Sequence, residues 1–157
     1  MLTLIISTEF NDRFSVGLAD GATLLAHETI NRPFSQVELL LKTIGGLLKR
    51  ENVWIASADL AMIGGGERVI TEKRIERIIV AKGPGDFSAL RIGIATANAL
   101  AFALKILIVG VFVTENFDNE KQRLEWLLKQ GLKKRSQKFS VNSIVVPEYG
   151  REANITK

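Results

Sequence analysis

The sequence predicts a mixed α/β domain whose sheet opens with three antiparallel strands and continues as strand–helix–strand. Three observations carry this expectation. Short apolar or alternating runs punctuated by turn residues fill the first 30 positions. The first long amphipathic run begins only after Ser35. An uncharged, alanine-rich stretch then stands between two β-branched runs, Ile78–Ala81 and Ile106–Val111, as a helix between two parallel strands would.

Residues 2–8 read as a buried strand, and Asn11-Asp12 as a turn. Residues 13–19 alternate through Phe14, Val16 and Leu18 as a half-buried second strand. Asp20-Gly21 marks a hairpin into a third strand through Leu24, Leu25 and His27. Ser35 and Glu38 have capping-box spacing, and the helix behind them runs to about Arg50 with a double glycine at 45–46. Residues 51–76 suggest a hairpin around Gly64-Gly65-Gly66. The strand Ile78–Ala81 ends at Gly83-Pro84-Gly85, and Asp86 is an N-cap for a helix to about Leu104. A helix from about Glu120 to Arg135 and a short strand, Ser143–Val146, close the chain. This element order is that of the ribonuclease H-like half-domain, the building block of actin-like (ASKHA) ATPases. Residues 1–113 form that lobe. Residues 114–157 form a much reduced second lobe packed on it as one unit.

Composition narrows the chemistry. The 157 residues are 46% apolar and 24% charged, which is globular rather than disordered. With no cysteine and His27 alone, thiolate metal sites, disulfides and most histidine-based catalysis are excluded. Met1–Ile6 lacks the basic start of a signal peptide, so a cytoplasmic chain is expected. The run Ile92–Val113 is long enough to span a bilayer, but Lys105 interrupts it and its composition turns from helix-like to strand-like there. No membrane span is expected. Of the net charge of +4, the segment from Glu120 to Lys138 carries seven cations against two carboxylates. Its Lys129, Lys133, Lys134 and Arg135 are either a solvated helix face or a contact for RNA.

The stretch Gly83-Pro84-Gly85-Asp86-Phe87-Ser88-Ala89-Leu90-Arg91-Ile92-Gly93 is the most informative. Glycines ahead of a helix N-terminus can cradle a phosphate, or can simply turn the chain from strand to helix. No Gly-Lys-Ser/Thr follows, so this is not a P-loop. The helix itself is uncharged between Arg91 and Lys105, with Gly93, Ala97 and Ala101 as a small-residue stripe. An all-round apolar helix must be covered on more than one side, by the first helix, by a partner, or by both.

Residues 78–111 resemble the signature of the TsaB (YeaZ) family: a hydrophobic strand, Gly-Pro-Gly-Ser-Phe-Thr-Gly-Leu/Val-Arg-Ile-Gly, an alanine/glycine-rich helix and a strand ending in Gly-Val. Gly83, Pro84, Gly85, Phe87, Arg91, Ile92 and Gly93 match directly, while Asp86, Ser88 and Ala89 depart. Pro147-Glu148-Tyr149-Gly150-Arg151 is similar to the family's C-terminal Pro-X-Tyr-Leu-Arg. Ser35-Gln36 falls at the family's first helix start, with Phe34 in place of its histidine. Ser7 stands where the family's first strand ends in an aspartate, and most of the family's second lobe is missing.

The resemblance implies a non-catalytic dimerisation subunit of the complex that makes threonylcarbamoyladenosine in tRNA. Its expected partners are a TsaD-like catalytic subunit and a TsaE-like ATPase, with tRNA reached through the complex. ATP or ADP and metal belong to the partner subunits, and this chain binds no cofactor or metal alone. Candidate partner contacts are Val37, Leu40, Leu41, Ile44 and Leu48 on the first helix and Gly93, Ala97 and Ala101 on the second. Without the partner, the same face would close a homodimer. The alternative is an actin-like nucleotide hydrolase or kinase that holds phosphate at Gly83–Asp86.

Overall fold

The structure, a computed structural model, describes residues 1–53, 73–134 and 144–150. Its elements are β1 (Leu2–Ser7), β2 (Phe14–Asp20), β3 (Thr23–Ile30), α1 (Gln36–Arg50), β4 (Ile75–Gly83), α2 (Phe87–Leu104), β5 (Leu107–Phe112) and α3 (Glu120–Lys133). One five-stranded sheet runs in the order β3-β2-β1-β4-β5. β1 pairs antiparallel with β2, as β2 does with β3, whereas β1–β4 and β4–β5 are parallel. This is the mixed sheet that the element order predicts.

Every residue of β1 is buried, because the strand is central and both sheet faces are covered. Its alternation sorts the two cores. Leu4 and Ile6 join Val16, Leu18, Ile78 and Val80 beneath α1 and α2. Ile5 points the other way, into a second core with Ile79, Val109, Val111 and the α3 residues Leu124, Leu127 and Leu128. α3 thus packs across all five strands on this face of the sheet.

α2 is long and apolar enough to cross a membrane. In this fold it lies on the sheet, with Leu90, Ile94, Ala97, Leu100 and Ala101 in the first core. It ends at Lys105 in the left-handed conformation, where the amides of Lys105 and Ile106 return to Phe102 and Ala101 carbonyls before β5 begins.

Several local expectations are corrected. Ser35 does not form a capping box: its hydroxyl donates to the Arg32 carbonyl at 2.7 Å, and Glu38 pairs with Arg32 at 3.6 Å. β4 starts at Ile75 rather than Ile78 because Leu2 and Thr3 of β1 extend the pairing. Residues 144–150 form no strand. The Asn98 side chain on α2 takes both the amide and the carbonyl of Val145, at 3.0 and 2.9 Å, in place of a β-ladder. The expected hairpin around 64–66 lies outside the described residues.

Candidate functional site

The apolar residues of α1 divide between two faces. Leu40, Ile44 and Leu48 are at most 2% exposed and press on the sheet, whereas Val37 is 79% and Leu41 42% exposed. On α2, Gly93, Ala97 and Ala101 are likewise buried. The outward side instead carries Ala95, Ala99 and Phe102, the last 63% exposed. Of the eight partner contacts expected from the sequence, Leu40, Ile44, Leu48, Gly93, Ala97 and Ala101 are therefore used within the chain. The reason is helical geometry: positions 93, 97 and 101 share one stripe, and that stripe lies on the sheet. A Cβ added at Gly93 would sit 2.8 Å from both Cβ and Cγ2 of Thr8, so glycine here lets α2 close onto the end of β1. Val37 and Leu41 remain as surface, one turn apart, beside a second helix that also exposes small and aromatic side chains.

A cleft of about 920 Å³ opens where β1, β4 and β5 end, lined by Glu9, Phe10, Gly85, Phe87, Arg123 and Tyr149 among others. Its floor is an ion pair between Arg123 Nη1 and Glu9 Oε2 at 2.6 Å, with side chains only 9% and 1% exposed. Ser7 Oγ donates to the other Glu9 oxygen at 2.7 Å. Burial raises the Glu9 carboxyl above the ordinary carboxylate value, and Arg123 and the Ser7 hydroxyl pull it part of the way back. The Arg123 guanidinium also lies 4.8 Å from the Phe10 ring centroid and 5.0 Å from that of Phe117. Nearby, Glu120 accepts from Arg13 Nε and Ser15 Oγ, both at 2.9 Å, and holds the Arg13 guanidinium above its usual value. α3 is thus tied to β1 and β2 by charge as well as by packing.

The Gly83–Asp86 turn is occupied by the chain itself. The Asp86 amide donates to the Glu9 carbonyl at 2.7 Å, and Asp86 Oδ2 accepts from the Asn11 amide at 2.8 Å. The N-cap side chain therefore bonds a neighbouring loop rather than its own helix. The Asp86 carboxylate at the N-cap also opposes a phosphate approaching the helix dipole. The Gly83–Pro84 bond is cis. Phe87 carries the Tyr149 ring stacked at 4.7 Å and the Arg91 guanidinium at 4.9 Å. Among the described residues, no three histidine or carboxylate side chains converge as a metal site would require.

Two solved structures share this architecture. One is YeaZ from Pseudomonas aeruginosa, with a TM-score of 0.55 at 22% identity over 71% of this chain. The other is an uncharacterized protein with similarity to peptidase YeaZ, also from Pseudomonas aeruginosa, with a TM-score of 0.55 at 23% identity over 71%. The chain is YeaZ-like in fold. The match extends over only 45% and 43% of those two proteins, so this chain spans less than half of their length. Residues 67–116 match the sequence profile of the family described as TsaD: tRNA N6-adenosine threonylcarbamoyltransferase. No curated protein sequence matches the chain.

Within this YeaZ-like fold, Glu9 and Arg123 are the residues that sequence reasoning missed. Ser7 drew attention as a lost strand-end acid, yet the carboxylate two positions later reaches back to its hydroxyl. The signal for Arg123 was available: it is three residues from Glu120 and one from Leu124, on the apolar side of a helix otherwise facing water. Its burial also reduces the basic patch. Lys129 and Lys133 are exposed, and Arg135 lies outside the described residues. Lys134 turns its Nζ to the Gly110 carbonyl at 2.9 Å, where burial and neighbouring Lys82 hold its pKa below the usual lysine value.

Proposed function

We propose that this chain is a non-catalytic, TsaB-type subunit that docks a TsaD-type catalytic subunit in the cytoplasmic formation of threonylcarbamoyladenosine in tRNA. The observation that carries this reading is the outward side of the α1–α2 pair. Val37, Leu41 and Phe102 are large apolar side chains exposed at the surface, while Leu40, Ile44, Leu48, Leu90, Ile94 and Leu100 pack in the core beneath them. Exposed apolar and small side chains along two adjacent helices suit helix-on-helix docking. The YeaZ-like fold and the TsaD-family match over 67–116 support the same partner. In this reading a TsaE-type ATPase joins the assembled pair, nucleotide and metal are held by the partner subunits, and tRNA is reached through the complex. A homodimer through the same helices is the state of the chain alone.

The alternative, a nucleotide hydrolase holding phosphate at Gly83–Asp86, is disfavoured by the committed Asp86 amide and the carboxylate beside it. The deciding experiment is size-exclusion chromatography with light scattering on the chain, alone and mixed with the TsaD-type subunit of the same genome. A stable heterocomplex that Val37→Asp disrupts without unfolding the chain is expected. No complex, together with calorimetric ATP binding by the isolated chain, overturns the reading.

A further inference from the structure

The apolar side of the α1–α2 pair is bordered by cations that have no ion-pair partner among the described residues. Arg91 lies in the second turn of α2, Lys105 is its C-cap, and Lys42 follows Leu41 on α1; all three are exposed. The one acid in the first turn of α1, Glu38, is paired with Arg32, and the N-cap acid of α2, Asp86, accepts from the Asn11 amide. Among the described residues, no carboxylate makes an ion pair with Arg91, Lys42 or Lys105. Among the described residues, the docking side therefore presents an apolar centre with a positive border. Its complement is a helical surface with an apolar centre and carboxylates at the edge.

Arg91 differs from the two lysines in being held. Its guanidinium lies 4.9 Å from the Phe87 ring centroid, one turn back along α2. Phe87 is in turn stacked on Tyr149 at 4.7 Å with the ring planes 25° apart. Tyr149 belongs to a segment anchored at three further points. The Val145 backbone pairs with the Asn98 side chain, the Glu148 amide donates to the Lys82 carbonyl at 2.7 Å, and Lys82 Nζ meets Glu148 Oε1 at 2.6 Å. A guanidinium stacked on a fixed ring loses little freedom when it binds, and its planar fork matches a carboxylate.

We propose that Arg91 is the polar anchor of the docking side, pairing with a carboxylate on a helix of the partner subunit, and that Tyr149 positions it through Phe87. This inference rests on the docking reading above. It adds that the C-terminal segment, although remote in sequence, sets the affinity of the helix pair.

The test is calorimetric titration of the full chain into the TsaD-type subunit at low and high salt. Arg91→Gln should weaken binding about tenfold at low salt and remove most of its salt dependence, as expected when a charge pair at an interface is lost. Tyr149→Ala should weaken binding about threefold, Tyr149→Phe should leave it unchanged, and Arg91→Gln/Tyr149→Ala should be no weaker than Arg91→Gln alone, since both act through one contact. Thermal melts that match the parent chain confirm that each variant is folded; if Tyr149→Ala melts early, Tyr149→Leu, which keeps apolar bulk without the ring, replaces it with the same expected weakening. Unchanged affinity in Arg91→Gln, alongside loss of the complex in Val37→Asp, overturns the anchor and leaves the docking reading standing. Binding that neither substitution weakens overturns both.

Discussion

The small-residue stripe on α2 separates two readings of that helix, and Gly93→Ala decides between them. If the stripe admitted a partner, an added methyl would weaken the complex and leave the isolated chain intact. In the structure the methyl meets Thr8 instead. It would lie 2.8 Å from Thr8 Cβ and Cγ2 and nearer still to Oγ1, whereas ordinary contact begins at 3.4 Å. Thr8 is fully buried at the end of the central strand and cannot swing away. α2 must then retreat by more than about 0.6 Å, lifting Leu90, Ile94, Ala97 and Leu100 from the sheet. Over-packing of this kind costs about 3 kcal/mol, at the upper end of its usual range. Replacing a helical glycine by alanine returns about 1 kcal/mol. The expected net loss of about 2 kcal/mol lowers Tm by roughly 4–8 °C in a domain of this size. Urea unfolding of the isolated chain measures it directly. Adding Thr8→Ala removes Oγ1 and Cγ2 but keeps the Cβ at 2.8 Å, so the double variant should recover part of the loss. A Gly93→Ala chain as stable as its parent would refute the close approach of α2 to β1.

Four other outcomes are expected. Thr8 Oγ1 is buried with no hydrogen-bond partner among the described residues, so Thr8→Val should stabilise the chain by about 1 kcal/mol in denaturant unfolding. Arg123→Met leaves Glu9 buried without its counter-charge and should cost about 3–5 kcal/mol by the same assay, with Glu9→Gln/Arg123→Met recovering part of that loss. Leu40→Ala should cost about 2–5 kcal/mol of stability, whereas Leu41→Asp should leave the melt near the parent's and abolish the heterocomplex. Because burial raises the folded-state pKa of Glu9 above 4.5, its favourable contribution is full below the unfolded value and is lost as pH rises through the folded one. Urea stability followed from acid toward neutral pH should therefore decline less in Glu9→Gln than in the parent.

Periodicity carried much of the fold because it reports burial. The largely apolar β1 and the apolar α2 read correctly as buried elements, whereas β2, whose alternation reads as half-buried, is buried through Ala19 because both faces of the sheet are covered. Periodicity is silent on side-chain hydrogen bonds, which explains why Ser35 and Asp86 stand at the N-caps as expected and yet neither caps its helix with its side chain. Ser35 has the spacing of a capping box, yet its hydroxyl finds the Arg32 carbonyl first. Asp86 is a favourable N-cap by type, yet the Asn11 amide, 75 positions away, claims its carboxylate. The C-terminal β-branched run reads as a strand, but Asn98 takes the backbone of Val145. In each case a competing partner distant in sequence, or folded back locally, outweighs propensity.

The same limit applies to the site. A helix pattern says that Val37, Leu40, Leu41, Ile44 and Leu48 are apolar, but a wide apolar arc contains both the core-facing side and the side left over. Only the position of the sheet divides them, and it leaves Val37 and Leu41 outside. The division also changes what a substitution means. A charge at Leu40 or Ala97 unfolds the chain and so weakens any complex indirectly, whereas a charge at Val37 or Leu41 reports on docking alone. Charge counting fails for a related reason, since Arg123 adds to the apparent basic patch while its guanidinium is paired with Glu9 beneath the cleft. The surface proposed for docking is what remains after both cores are filled: two apolar residues on α1, the small and aromatic outer side of α2, and a guanidinium stacked on Phe87 at their border.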